Sequence, residues 1–102
     1  MNKDHLYFIR IGDRTENLYK IGTTNNLKRR MNEHKRTYKK PVEILWASPP
    51  YSKYTTLRVE EKTKQEWKQK DGFHHIPNDR FVIDPSIRQV KIKVRKEWTV
   101  DL

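Results

Sequence analysis

Cysteine is absent from the 102 residues of the sequence. Disulfide bonds, cysteine-ligated zinc and thiol catalysis are therefore excluded. Apolar residues make up only 33% of the chain, and no apolar run approaches the length of a membrane span. Because no signal peptide precedes the first apolar stretch, we expect a cytoplasmic protein without membrane contact.

Acidic residues are scarce compared with basic ones. Asp and Glu total 13 and Lys and Arg total 23, so the formal net charge is +10. A strongly positive folded domain attracts polyanions, and its affinity for nucleic acid decreases as salt is added. Aromatic residues, at 11%, supply stacking surfaces beside the cations. The composition therefore predicts a nucleic-acid partner rather than a merely soluble basic surface. It does not distinguish DNA from RNA, and of the two we favour DNA.

The N-terminal half predicts three strands and a helix within one domain that covers residues 1–102. Alternating apolar residues indicate two strands joined as a hairpin by a turn-rich loop. An asparagine then caps a helix, and an apolar strand follows a proline. In order, the elements are a strand over 5–11, a loop over 12–17, a strand over 18–21, a helix from Asn25 or Asn26 to about 36, and a strand over 42–47.

The C-terminal half is harder to interpret. We expect a loop over 48–52, a second helix from Thr55 or Thr56 to about Asp71-Gly72, and a strand over 80–83. Asp84-Pro85 has the pattern of an N-cap followed by proline at the first helical position. The tail fits a helix that runs into a strand-like end, although Val90, Ile92 and Val94 also alternate as a strand would.

Two motifs in the first 34 residues carry most of the chemistry. Strand alternation turns Lys20 of the segment Tyr19-Lys20-Ile21-Gly22 away from the core that Tyr19 and Ile21 enter. On the following helix, Arg30 and His34 lie one turn apart at the border of the apolar stripe. Groups at such a border typically line a cleft, and a guanidinium there can bind a phosphate with two hydrogen bonds.

These residues, with Tyr7 in the first strand, resemble the signature of the GIY-YIG nucleases. The resemblance covers about residues 5–83, and lysine at position 20 is similar to the phage-type branch, which has Lys in place of the second signature tyrosine. It implies an α/β (α+β) single domain with a small three-stranded antiparallel sheet flanked by helices. It also implies a metal-dependent endonuclease that hydrolyses phosphodiester bonds by in-line attack of water.

The resemblance assigns a role to each of these groups. Tyr7 would help to activate the attacking water, and the nearby Lys20 ammonium would lower the pKa of the phenol. Arg30 would stabilise charge in the transition state, and His34 would orient the water or contact a phosphate oxygen. The catalytic set implied by the resemblance is Tyr7, Lys20, Arg30, His34 and Glu60.

Glu60 is the expected ligand of one Mg²⁺ or Mn²⁺ ion. It falls on the packed face of the second helix, where a carboxylate is costly unless it is paired or metal-bound. Glu61 is the alternative ligand if the helix register differs. An ordinary i, i+4 ion pair between Glu60 and Lys64 is the competing explanation. By the resemblance, Glu60 holds the metal.

Further basic and polar residues are expected to bind the nucleic-acid backbone, on the helix that follows the hairpin and in the tail. They are Thr23, Asn25, Lys28, Arg29, Lys35, Arg88, Lys91 and Lys93. Target choice would then come from loops, from a homodimer or from a recognition partner. Two other functions compete: a non-catalytic nucleic-acid-binding module on the same fold, and a subunit that binds an acidic protein.

Overall fold

A six-stranded antiparallel sheet forms the centre of the structure, a computed structural model that describes residues 3–102. Its strands are β1 (Lys3–Ile11), β2 (Leu18–Thr24), β3 (Val42–Ala47), β4 (Tyr51–Ser52), β5 (Phe73–Ile76) and β6 (Arg80–Ile83). The order across the sheet is β3-β1-β2-β6-β5, and β4 pairs with the beginning of β1. The three-stranded sheet expected from the sequence is therefore wrong in strand number, although the antiparallel α+β class is confirmed.

The β1–β2 hairpin follows from the alternation of the sequence and sets the register of the site. Tyr7 lies opposite Gly22, and Ile9 lies opposite Lys20. Directly opposed residues in an antiparallel pair project from the same face. Tyr7 and Lys20 therefore share one face, as the sequence predicted, while Tyr19 and Ile21 are buried on the other.

Helix α1 (Leu27–Tyr38) packs on the face of the sheet that carries Tyr7. The Asn26 side chain accepts a hydrogen bond from the backbone N–H of Arg29, so Asn26 is the cap of the two candidates. Lys39 ends the helix in the left-handed conformation, with φ of 55°. Met31 anchors the helix to the sheet.

Helix α2 (Lys53–Lys68) packs on the opposite face. It begins earlier than predicted, because the Ser52 hydroxyl accepts a hydrogen bond from the backbone N–H of Thr55 and thereby caps the helix. Trp67 lies 3% exposed among Phe8, Phe73 and Phe81. These aromatic contacts hold α2 against the sheet.

The tail is a second, two-stranded sheet, not a helix. Strands β7 (Gln89–Val94) and β8 (Lys96–Asp101) pair around Arg95, whose φ is 64°. The alternating residues of β7 insert into the core beneath α2. The helical part of the prediction for this tail was wrong, because burial of one face of a hairpin decided its structure.

Three smaller differences concern short segments. Asp84 does not begin a helix; its carboxylate accepts hydrogen bonds from the backbone N–H and the hydroxyl of Ser86, which makes a turn. Strand β5 was not predicted. The loop expected over 48–52 includes the two residues of β4. Neither helix in the described part of the chain is long and apolar enough to cross a membrane.

Candidate active site

Lys20 projects from β2 into a cleft that is bordered by α1. The cleft has a volume of about 610 Å³. Its lining also includes Arg30 and His34 from α1, and Asn78 and Asp79 from the turn between β5 and β6. The Lys20 ammonium donates a hydrogen bond of 2.8 Å to the backbone carbonyl of Asn78. Residues from three separate segments thus meet around one ammonium group.

The position of Lys20 also perturbs its charge. Burial lowers the pKa of the Lys20 ammonium, while the carboxylates of Asp79 and Glu60 oppose that shift. A bound anion would favour the charged form in the same way. Lys20 is therefore suited to hold a phosphate oxygen in the cleft.

Tyr7 and His34 form a hydrogen-bonded pair at the edge of the cleft. The phenol oxygen Oη lies 2.8 Å from Nε2 of His34. Tyr7 is 2% exposed, and the neighbouring strand permits its close approach because residue 22 is glycine. A Cβ atom at position 22 would lie 2.5 Å from Tyr7 Oη. His34 lines the cleft, and the hydrogen bond with Tyr7 restrains the imidazole ring.

Both members of this pair are neutral at pH 7. Burial raises the pKa of Tyr7, and the nearby charge of Arg30 only partly offsets this effect. The shift is opposite to the depression that the sequence led us to expect. Burial and the positive charges of Lys20 and Arg30 lower the pKa of His34 to about 4. A neutral imidazole has one unprotonated nitrogen, and it is Nδ1 in the tautomer whose Nε2–H donates to the Tyr7 oxygen. Tyr7 is a phenol and not a phenolate.

Arg30 lies one helical turn before His34, as predicted, and also lines the cleft. Its nearest acidic group is Glu33, with 3.6 Å between Nε of Arg30 and Oε1 of Glu33. Within residues 3–102, Nε of Arg30 is buried without a hydrogen-bond partner. The Arg30 side chain is nevertheless 40% exposed, so the other donors of its guanidinium can reach an incoming anion.

Glu60 approaches the site from the other face of the sheet. Strand β6 pairs with β2 only as far as Lys20, which lies opposite Arg80. The remainder of β2 has no β6 partner in the described structure. Glu60 does not line the cleft, but it is close enough for its charge to affect the pKa values of Lys20 and Tyr7. The Glu60 side chain is 17% exposed, and its Oε2 lies 3.5 Å from Nζ of Lys64. The i, i+4 ion pair considered from the sequence therefore exists.

Lys64 also contacts two other carboxylates. Its Nζ lies 3.2 Å from Oδ2 of Asp79 and 3.7 Å from Oε2 of Glu61. Burial nevertheless raises the pKa of Glu60, although Lys64 and Lys20 counteract the rise. The charge on Glu60 is thus incompletely compensated, and an added cation would stabilise it.

The donor set allows a divalent metal with one protein ligand. Residues 3–102 contain no cluster of three or more His, Cys, Asp or Glu side chains arranged to hold a metal. Mg²⁺ commonly binds through one or two carboxylates and completes its shell with water and substrate phosphate. Glu60 fits that mode. Glu61, at 64% side-chain exposure, is the more solvated of the two neighbouring glutamates.

The expected nucleic-acid-binding residues lie in three places. Thr23 is half-buried in β2, beyond Lys20. Exposed residues of α1 and its N-terminal turn form one basic surface. These residues are Asn25, Lys28, Arg29 and Lys35. The expected nucleic-acid-binding residues of the tail lie elsewhere. Lys91 and Lys93 line a groove with α2, and Arg88 borders a separate pocket.

Some residues of the cleft were not identified from the sequence. Asn78 and Asp79 both have positive φ, 67° and 53°, in the turn that contacts Lys20 and Lys64. Glu33 and Tyr38 of α1 also line the cleft. The Asn-Asp pair before a strand is a turn signal, and it was the available indication that this loop approaches the site.

The comparison with family models gives one match, which spans residues 4–98. That model describes the T5orf172 domain. The chain belongs to the T5orf172 domain family. No curated protein and no solved structure matches the chain. The family match covers both helices, the site and the six strands of the sheet except the first residue of β1.

Proposed function

We propose that this T5orf172 domain is a metal-dependent endonuclease that hydrolyses phosphodiester bonds, with DNA as the favoured substrate. The observation that carries the proposal is the meeting of Lys20, Arg30 and His34 in one cleft. An ammonium, a partly exposed guanidinium and a neutral imidazole form a site suited to a phosphodiester. The same residues support a relation to the GIY-YIG nucleases.

Substrate binding would begin with the two cations. Lys20 offers a point charge, and Arg30 offers directed donors to the non-bridging oxygens of the phosphate. As water attacks, negative charge grows on those oxygens. Donors already placed at these oxygens stabilise the transition state without further reorganisation.

The Tyr7–His34 pair would take up the proton of the attacking water. In the tautomer whose Nε2–H donates to the Tyr7 oxygen, neutral His34 would accept that proton at Nδ1. A bound phosphodiester brings negative charge beside the imidazole, which raises the pKa of His34 and makes it a better base. Tyr7 would fix the orientation of the ring through the 2.8 Å hydrogen bond.

Glu60 would hold Mg²⁺ or Mn²⁺, which supplies Lewis-acid polarisation of the phosphate. Exposed cations on α1 and in the tail would add sequence-independent affinity for the backbone. Target choice would depend on loops of this domain, on a second copy or on a recognition partner. Such a nuclease would act in the cytoplasm.

The first experiment tests the metal carboxylate. Purified protein is incubated with labelled single- and double-stranded DNA and RNA in Mg²⁺ or Mn²⁺. We expect Glu60→Gln to reduce cleavage at least about 10²-fold and to leave affinity nearly unchanged, because the basic surface remains. Glu61→Gln is the matched control. Normal cleavage by Glu60→Gln together with loss in Glu61→Gln would move the metal to the neighbouring residue.

The second experiment separates catalysis from general attraction. Arg30→Ala should lower the turnover rate by about 10²-fold, since it removes a donor aimed at developing charge. Lys28→Ala removes one exposed cation from the same helix and should weaken binding only slightly. Equal losses in the two variants would mean that Arg30 merely adds positive charge.

A non-catalytic nucleic-acid-binding module is the second candidate. The ion pair between Lys64 and Glu60, which occupies the carboxylate, favours it. Salt-sensitive binding of every substrate without cleavage in either metal would establish this candidate. Absence of nucleic-acid binding would instead favour an acidic protein partner.

A further inference from the structure

A second, smaller cavity lies where β1 and β2 meet their connecting loop and the segment between β6 and β7. Its volume is about 140 Å³, and it shares no lining residue with the catalytic cleft. Three arginines line it: Arg10 from β1, Arg14 from the loop and Arg88 from the segment before β7. The fold thus brings Arg88 beside Arg10 and Arg14, from which it is distant in the sequence.

Arg10 is the buried member of this arginine pocket. It is 3% exposed, and its Nη1 donates a hydrogen bond of 2.7 Å to Oε1 of Glu43. Its Cζ lies 5.6 Å from the centre of the Tyr19 ring. These contacts explain how a charged group is held in the interior. However, Nε of Arg10 is buried without a hydrogen-bond partner in the described residues.

The positive charge of the pocket is only partly balanced, because Glu43 pairs with Arg10 and no ion pair is formed by Arg14 or Arg88 among the described residues. Arg14 and Arg88 are exposed. Asp84 is the acidic side chain of the described lining, and hydrogen bonds from Ser86 already occupy one of its oxygens. Those bonds hold the pKa of Asp84 below its usual range. Because Arg10 is paired with Glu43, Arg14 and Arg88 face the carboxylate of Asp84, and the pocket keeps a net positive charge.

The geometry points to a binding site for a phosphate group at Arg10, Arg14 and Arg88. Guanidinium groups bind oxyanions through paired, charge-assisted hydrogen bonds, and a buried arginine presents such donors without further ordering. The phosphate could belong to a nucleic-acid backbone or to a small phosphorylated molecule. The site does not depend on cleavage in the other cleft.

The test measures phosphate binding in the whole chain. Inorganic phosphate, adenosine 5′-monophosphate and a short single-stranded oligonucleotide are titrated while backbone amide signals are followed by NMR. We expect shifts at Asn17 and Tyr19 beside the pocket. The double variant Arg14→Gln/Arg88→Gln should weaken binding about tenfold or more, because each charge-assisted hydrogen bond contributes appreciably.

A control variant removes the same charge elsewhere. Arg58→Gln/Arg95→Gln changes two exposed arginines outside the pocket. Phosphate or nucleotide binding that only the pocket variant weakens would identify a site for small phosphorylated molecules. The same contrast seen with the oligonucleotide alone would identify a backbone phosphate. Equal effects of the two double variants, or no shifts beside the pocket with any probe, would overturn the inference.

Discussion

Replacing Gly22 by alanine tests how tightly Tyr7 is held against β2. The new Cβ would lie 2.5 Å from Oη and 2.6 Å from Cζ of Tyr7, so the ring must move. Tyr7 is 2% exposed and has little room to move. Overpacking a core costs about 1–3 kcal/mol. Loss of the hydrogen bond to His34 adds about 1 kcal/mol.

One effect acts in the other direction. Alanine restricts the unfolded chain more than glycine does, which increases the free energy of unfolding by about 0.5–1 kcal/mol. The expected net loss in the free energy of unfolding is therefore about 2 kcal/mol, measured by urea denaturation. In a Tyr7→Leu background the ring is absent, so Gly22→Ala should become neutral or stabilising. The difference between the two backgrounds measures the coupling. A cost within about 0.5 kcal/mol in both backgrounds would refute the close contact.

Three further predictions concern other parts of the domain. The pKa of His34 is about 4, below its ordinary 6.5, so its contribution to stability is complete above pH 6.5 and is lost as pH falls towards 4. His34→Gln should flatten that part of a plot of unfolding free energy against pH, and an unchanged slope would contradict the shift. Lys64→Met should increase Mn²⁺ affinity several-fold in calorimetry, because it removes the cation that lies 3.5 Å from Glu60. The metal would have to bind elsewhere if Mn²⁺ affinity were unchanged in Lys64→Met, or if Glu60→Gln increased it equally. Trp67→Ala should cost about 3–5 kcal/mol in denaturant melts, since it empties the aromatic contact between α2 and the sheet, and a loss below about 1 kcal/mol would show that α2 is held otherwise.

The sequence predicts the N-terminal half well because its local signals agree with one another. Alternation defines the hairpin, and it correctly places Tyr7 and Lys20 on one face. An asparagine caps α1, and the helical period then brings Arg30 and His34 to the cleft. In this half, local pattern and tertiary burial favour the same structure.

The C-terminal half is less predictable because local and tertiary preferences compete there. Residues 87–98 fit both a helical and a strand period, and the hairpin turns at Arg95 without a glycine to mark it. Strand β5 is too short for its alternation to be recognised. The pKa of Tyr7 was expected to fall because Lys20 is near, but burial, which a sequence does not reveal, has the larger effect.

The late position of β7 and β8 in the chain has a consequence during synthesis. Val90, Ile92, Val94 and Val100 complete the core beneath α2. All six strands of the main sheet are translated before these residues, and without β7 and β8 one apolar face stays uncovered. Domains whose last segments complete the core expose apolar surface to aggregation until those segments emerge. A chain released before residue 89 would therefore expose apolar surface and need a chaperone, even though it contains every residue of the candidate active site.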